Sequence, residues 1–236
     1  TTAEFTSNTQ SVITIGTFDG VHVGHRAIVQ RLVTAAKQQG LVSVVLTFFP
    51  HPRMVLHETS SIKLLNTINE KSSLLEKMGL DNLVIHPFDK EFSNLSAEEF
   101  VKTILVDLFN VQKIIIGYDH RFGKNRAANI ENLIAFGEKY GFEVEQISAQ
   151  EIDSVSVSST KIRDAITDGN MIIANEFLGY DYVLSGKIIT KISLFCFCST
   201  SFIFFSFVKI LPFKNDLFST YNFVFLSKIK FVQNEI

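Results

Sequence analysis

Ser11-Val12-Ile13-Thr14-Ile15-Gly16-Thr17-Phe18-Asp19-Gly20-Val21-His22-Val23-Gly24-His25 is a short apolar run entering a glycine-rich turn that carries two histidines. Residues 11–15 read as a strand, and residues 26–39 read as a helix. Gly16, Gly20 and Gly24 let the backbone turn tightly and approach a ligand closely. A strand, such a turn and a helix N-terminus together make a site for phosphate. The free N–H groups of the first turn and the positive end of the helix dipole both face the anion. His22 and His25 fall on that mouth, where they can donate to phosphoryl oxygens and offset charge that builds up during transfer. The stretch lacks the lysine of a P-loop, and it has histidine where the dinucleotide fingerprint has glycine. Two other readings stay open on these residues alone. The histidines could be metal ligands on one helical face, although no nearby Cys, Glu or third His completes a set. They could also do no more than pack.

Outward from this turn, apolar runs alternate with helical patterns as far as Gly179. Strands are expected at 41–48, 83–86, 113–116 and 142–147, and helices at 69–78, 96–109 and 130–140. Ser96-Ala97-Glu98-Glu99 is a capping-box pattern. Gly40, Gly79 and Gly141 sit just past three of the helices, as C-cap residues do. Strand–helix alternation with buried apolar strands predicts an α/β fold, a doubly wound parallel sheet with helices on both faces. Ligands of such sheets bind outside the carboxyl ends of the strands. The chemistry-bearing stretches at 16–25, 47–52 and 117–126 all begin where an expected strand ends.

Three later segments accompany the first: Thr47-Phe48-Phe49-Pro50-His51-Pro52, Ile116-Gly117-Tyr118-Asp119-His120-Arg121-Phe122-Gly123, and Val157-Ser158-Ser159-Thr160-Lys161-Ile162-Arg163. In this order and spacing, with Gly16-Thr17-Phe18-Asp19-Gly20-Val21-His22-Val23-Gly24-His25 at the head, the chain resembles the bacterial FAD synthetases. These are the adenylyltransferase module of the bifunctional riboflavin kinase/FMN adenylyltransferases. The H-x-G-H core alone is shared by a wider superfamily that includes cytidylyltransferases. Four ordered motifs are far more specific than any one of them. The resemblance covers roughly residues 11–189.

The resemblance implies a Rossmann-like sheet of the H-x-G-H nucleotidyltransferase superfamily. It implies transfer of the adenylyl group of ATP to FMN, giving FAD and pyrophosphate, with Mg²⁺ carried on the substrate phosphates. It points to His22, His25 and Arg163 as the catalytic residues. It places Gly16, Thr17, Phe18, Asp19, Gly20, Gly24, Ser158, Ser159 and Thr160 on the nucleotide, and Phe48, Pro50, Pro52, Asp119, Phe122, Asn125 and Arg126 on the nucleotide or flavin. Several local readings remain beside it. Ser158 to Thr160 could be a plain helix cap, Asp119 a structural turn residue, and Pro50-His51-Pro52 a stiff strand end. The family often has Phe where His120 stands, and a glycine near Ala127–Ala128 that this chain lacks.

At 236 residues the chain has room for one good core, or for one domain plus an appendage. A net charge of −2 leaves no electrostatic footprint for nucleic acid. The expected partners are therefore small molecules, ATP and FMN. Cys196 and Cys198, separated by one residue, make an improbable structural disulfide. The sequence starts at Thr1 without a basic segment leading into an apolar run, so the expected location is cytoplasmic.

The chain changes character after Ile189. Residues 191–236 hold eleven of the 23 phenylalanines and no glycine, and their charge balance is positive where that of 1–190 is negative. Residues 182–189, Tyr-Val-Leu-Ser-Gly-Lys-Ile-Ile, are similar to the segment that opens the riboflavin kinase barrel of the family. The glycine-rich stretch and Pro-Thr-Ala-Asn motif that follow in the family have no counterpart here. The expected domains are an FAD synthetase unit over 1–180, a remnant of the first kinase strand over 181–189, and an aberrant Phe-rich tail over 190–236. Riboflavin kinase activity is expected to be absent from this chain. Residues 192–208 form an uncharged run of 17 residues, at the short limit for a membrane span. The break inside a recognisable strand favours out-of-frame or unselected sequence over a membrane segment.

Overall fold

Strand β1 (Ser11–Ile15) has no exposed position, and burial on both faces sets it at the centre of a sheet. The computed structural model describes residues 9–56, 62–118, 120–148 and 157–183, together with the backbone alone of 186–198 and 201–212. Around β1 lie β2 (Val42–Phe49), β3 (Asn82–Pro87), β4 (Val111–Gly117) and β5 (Glu143–Ile147), in the spatial order β3-β2-β1-β4-β5. All four pairings are parallel. The expected α/β doubly wound sheet is the observed one. Strand order reverses between β1 and β4, and the crevice above that switch point is where such sheets hold ligands.

Alternate strand residues feed two cores, one on each face. Val12, Val45 and Ile115 pack with Val29, Leu32, Val33 and Ala36 of α1 (Val23–Gln39) and with Leu75 of α3 (Ile68–Glu76). Between these helices, α2 (Pro52–Leu56) is a short helix directly after β2. On the other face, Ile13, Ile15, Val44, Leu46, Ile114 and Ile116 meet Val101, Leu105, Phe109 and Leu133. That layer comprises α4 (Lys90–Ser93), α5 (Ala97–Phe100) and α6 (Ile130–Tyr140). A third cluster joins α7 (Ser159–Thr167) and α8 (Met171–Leu178) to Leu65 and Tyr182.

The helix expected over 96–109 is not uniform. After α5 the chain widens into a π-helix, Val101–Val106, with hydrogen bonds from Asp107 N to Lys102 O and from Phe109 N to Ile104 O. The wider turn lets Phe100, Val101, Leu105 and Phe109 all bury against the sheet. The first helix begins at Val23, three residues earlier than the sequence pattern suggests, so Gly24 and His25 lie in its first turn and His22 is its cap. Gly40 and Gly141 end α1 and α6 in the left-handed region, as expected. Helix α8 was not expected: it is eight residues long, and its Ile172 is 72% exposed.

Backbone from Gly186 to Pro212 forms an antiparallel pair, β6 (Gly186–Cys198) with β7 (Ser201–Pro212), as a separate two-stranded sheet. Strand β6 spans residue 189, where its register on β7 shifts between Ile188 and Thr190; residues 192–198 lie in β6 and residues 201–208 in β7. Among the described residues no helix is long and apolar enough to cross a membrane.

Gly137 in α6 tests how closely this helix meets the chain that leaves it, because a Cβ there would stand 2.6 Å from the Phe142 carbonyl oxygen. Gly137→Ala should cost about 1–3 kcal/mol of stability as overpacking, despite the better helix propensity of alanine. Urea unfolding measures it, and an unchanged or higher midpoint would contradict that close approach.

Candidate active site

The turn after β1 is built from strained backbone held by buried polar groups. Phe18 and Val21 have φ of 46° and 38°, values that L residues rarely adopt, and Gly20 has φ of 83°. Such strain persists only where the surroundings over-determine it. Asp19 is 2% exposed; one carboxylate oxygen accepts the Leu65 N–H at 2.9 Å and the other pairs with the Arg163 guanidinium. Arg163 also donates to the Lys63 carbonyl at 2.6 Å. Ser159 Oγ donates to the Asp19 carbonyl at 3.0 Å, and Tyr180 Oη donates to the Gly20 carbonyl at 2.6 Å. The Thr17 carbonyl accepts from Lys71 Nζ at 2.6 Å and from Thr47 Oγ1 at 3.2 Å. Gly20 has no room for a side chain, since a Cβ would lie 2.6 Å from Leu65 Cδ1.

His22 caps α1: its Nδ1 accepts the His25 N–H at 3.4 Å, which leaves Nε2–H as the donor of that ring. The two imidazoles stack with centroids 3.6 Å apart. Burial pushes His22 down to about 4, so it is neutral at pH 7. His25 is held well below its ordinary value, first by burial and then by the charges of His22 and Lys71. Its Nδ1 is buried without a hydrogen-bond partner among the described residues.

The turn opens into a cleft of about 860 Å³ beyond the carboxyl ends of β1, β2 and β4. Gly16, Thr17, Phe18, His22, Gly24 and His25 line one side. Ser158, Ser159, Thr160 and Arg163 add the N-terminus of α7 to the same wall, with Ser158 as its cap accepting the Lys161 N–H at 3.3 Å. Phe48, Pro52, Phe122, Asn125 and Arg126 also reach the cleft. Residues 122–128 close into a loop through paired bonds between Phe122 and Ala128, with Asn125 and Arg126 at positive φ.

Not every expected residue touches the space. Asp19 and Gly20 lie beneath the turn, and Asp19 is spent on Arg163 and Leu65. Pro50 is exposed and outside the cleft wall, because the chain turns away after β2 before α2 brings Pro52 back. Asp119 lies outside the described residues. Among those described, no group of three or more His, Cys, Asp or Glu side chains could hold a metal ion.

Sequence reasoning missed four residues. Phe88, Phe92 and Phe100 line the cleft beside Phe48 and Phe122, with successive ring centroids 5.6–6.2 Å apart from Phe48 through Phe92 and Phe100 to Phe122. Their signal was the aromatic spacing of Phe88, Phe92 and Phe100 around the Ser96 cap. Lys71, 5% exposed, carried a weaker one: a lysine inside the first turn of a helix, where the dipole disfavours it.

The family model described as FAD synthetase matches residues 4–161. The chain belongs to the FAD synthetase family. It is 37% identical over 190 residues to the bifunctional riboflavin kinase/FMN adenylyltransferase of Listeria monocytogenes, covering 80% of this chain and 60% of that protein. It is 36% identical over 183 residues to the protein of the same name from Buchnera aphidicola subsp. Schizaphis graminum, covering 77% of this chain and 59% of that one. The chain thus spans about three-fifths of the length of the curated relatives it matches. A crystal structure from Streptococcus pneumoniae, described as a macrolide-efflux protein, superposes with a TM-score of 0.68 at 29% identity, over 76% of this chain and 58% of that one. The FAD synthetase match ends at residue 161, yet Arg163 and Tyr180, which hold the turn, lie beyond it.

A buried neutral histidine makes stability depend on pH with a definite sign. Between its unfolded value of 6.5 and the folded value of about 4, the His22 ring binds a proton only when the chain unfolds. Its contribution is therefore present above pH 6.5 and is lost as pH falls toward 4. His22→Asn keeps a capping side chain without the titration. The stability that the unmodified protein loses between pH 7 and 5 should be smaller in this variant by about 2 kcal/mol. Equal losses in urea titrations at the two pH values would mean that His22 is not held neutral by burial.

Proposed function

We propose that this chain transfers the adenylyl group of ATP to FMN, giving FAD and pyrophosphate. The observation that carries the reading is the convergence of two helix N-termini, those of α1 and α7, on one cleft whose remaining wall is aromatic. Two helix mouths suit a triphosphate. The rings of Phe48, Phe88, Phe92, Phe100 and Phe122 suit the flat isoalloxazine, and an aromatic stack orients it at little entropic cost.

In this reading an oxygen of the FMN phosphate attacks the α-phosphorus of ATP. The bond to the bridging oxygen breaks, and pyrophosphate leaves with the electron pair. Two anions must meet, so positioning and electrostatic stabilisation supply most of the catalysis. His22, through Nε2–H, and His25, from the first turn of α1, address the phosphoryl oxygens. A bound polyanion favours the protonated imidazoles that burial disfavours. Ser158 to Thr160 present the α7 mouth to the leaving phosphates. Arg163 acts on the turn through Asp19 and borders the cleft with the rest of its fork. Mg²⁺ carried on the substrate oxygens keeps most of its waters and needs few ligands from the chain. When bound, that ion neutralises phosphate charge. Residues 1–180 are the adenylyltransferase unit of this reading, with Tyr182 packed against its α7–α8 cluster.

Incubation of the purified chain with FMN, ATP and Mg²⁺ should yield FAD and pyrophosphate, read by chromatography. A folded sample that makes no FAD at saturating substrate contradicts the proposal. His25→Ala should lower turnover by about 10²–10³-fold, the usual loss for one preorganised donor, with FMN affinity little changed. Near-normal turnover would make the two histidines a structural pair.

A further inference from the structure

Lys71 is among the few charged side chains buried within the described residues, and neither its burial nor its place on the helix favours a cation. It ends the first turn of α3, where the helix dipole opposes positive charge. Burial also lowers its pKa, against the pull of Asp19. The glycine-rich turn holds it in place, through the Thr17 carbonyl at 2.6 Å.

Beneath that turn the charges do not cancel. The Asp19 carboxylate is already occupied by the Arg163 guanidinium and the Leu65 N–H. One carboxylate stands against two cations, and a positive charge is left over under the strand–turn junction. The grip on Thr17 also has a geometric consequence. A trans peptide is planar, with its C=O and N–H pointing in opposite directions. Drawing the Thr17 carbonyl inward onto Lys71 and Thr47 therefore turns the Phe18 N–H away from them. Thr17 and Phe18 both line the cleft, and Phe18 carries the positive φ that needs such support.

We propose that Lys71 is a positioning residue for the polyphosphate of the nucleotide: it sets the Thr17–Phe18 peptide with its N–H toward the cleft and supplies the uncompensated charge under the turn. This rests on the adenylyl-transfer reading of the cleft. The bound polyanion draws on the ammonium through the turn without touching it. Binding of the flavin, on the aromatic wall, does not use it.

A purely structural lysine would leave no mark on the pH dependence of nucleotide binding, whereas this one does. Lys71 acts on, or is acted on by, Asp19 in the turn, His25 of α1 and His51 after β2; His22 stacks on His25, Arg163 pairs with Asp19, and Tyr180, Tyr182 and Glu70 face the same junction. Burial holds the three histidines below their ordinary value, pushes Tyr180 up to about 12 and raises Tyr182 further. Burial lowers the pKa of Lys71 and raises those of Tyr180 and Tyr182, so the Lys71 ammonium is the one of these groups set to lose its proton first as pH rises above neutral.

Isothermal titration with ATP, from about pH 7.5 to 10, on the unmodified protein and on Lys71→Met decides the matter, with circular dichroism as the check on folding. The unmodified protein should bind ATP at the lower pH and weaken before the upper one. Folded Lys71→Met should bind about tenfold or more weakly at the lower pH, show no alkaline weakening, and keep its FMN affinity. Folded Lys71→Met that binds ATP as tightly as the unmodified protein overturns the role of Lys71 alone. If the variant does not fold, the unmodified protein still answers: affinity constant to the upper pH overturns the proposal. No ATP binding by the unmodified protein contradicts the adenylyl-transfer reading as well.

Discussion

The buried pair of Asp19 and Arg163 is the constraint on which the rest of the site depends. It joins a residue in the turn after the first strand to one in a helix far along the chain, and Ser159 and Tyr180 reinforce the same junction from either side. Buried ion pairs add little net stability, yet removing one partner costs about 3–5 kcal/mol because the other is left uncompensated. Such a pair is better understood as fixing geometry. Here it fixes the mouth of α7 beside the mouth of α1, which neither helix could ensure alone.

Around that junction the cleft divides by chemistry. One side offers helix N-termini, hydroxyls and histidines kept neutral by burial; the other offers phenylalanine rings contributed by β2, α4, α5 and the loop after β4. Neutral imidazoles leave the mouth of α1 without a full charge, while Lys71 sits behind the turn and Arg163 borders the cleft. On the proposed reading, an incoming polyanion meets donors first and feels the buried charge through them. The strained turn backbone is the other side of the same design, since preorganised N–H groups are bought with φ values that ordinary loops avoid.

Much of this was legible in the sequence, for identifiable reasons. Ser11 to Ile15 and residues 130–140 carry strong local patterns, and the strands and helix formed there coincide with the expected bounds. The His22–His25 mouth and the Ser158 cap were legible because helix N-termini depend on nearby residues. What escaped depends on distance. Arg163 was expected to face phosphate, but its grip on Asp19 joins residues 144 positions apart, which no local pattern encodes. Lys71 belongs to no motif, and its role follows only from where α3 lays it against the turn. Gly24 suggested a turn continuing to residue 25, whereas it lies inside the helix and keeps that turn of the helix open to the cleft.

The central claim is that one polyanion engages both helix mouths at once while the flavin occupies the aromatic side. Amide chemical-shift mapping of ¹⁵N-labelled protein tests it directly. Added ATP should shift the backbone N–H signals of Phe18 and residues 22–25 together with those of residues 158–161, at the same ligand concentration. Added FMN should shift signals near Phe48, Phe92 and Phe122 instead. Shifts confined to one helix mouth, or ATP perturbing only the aromatic side, would contradict the account.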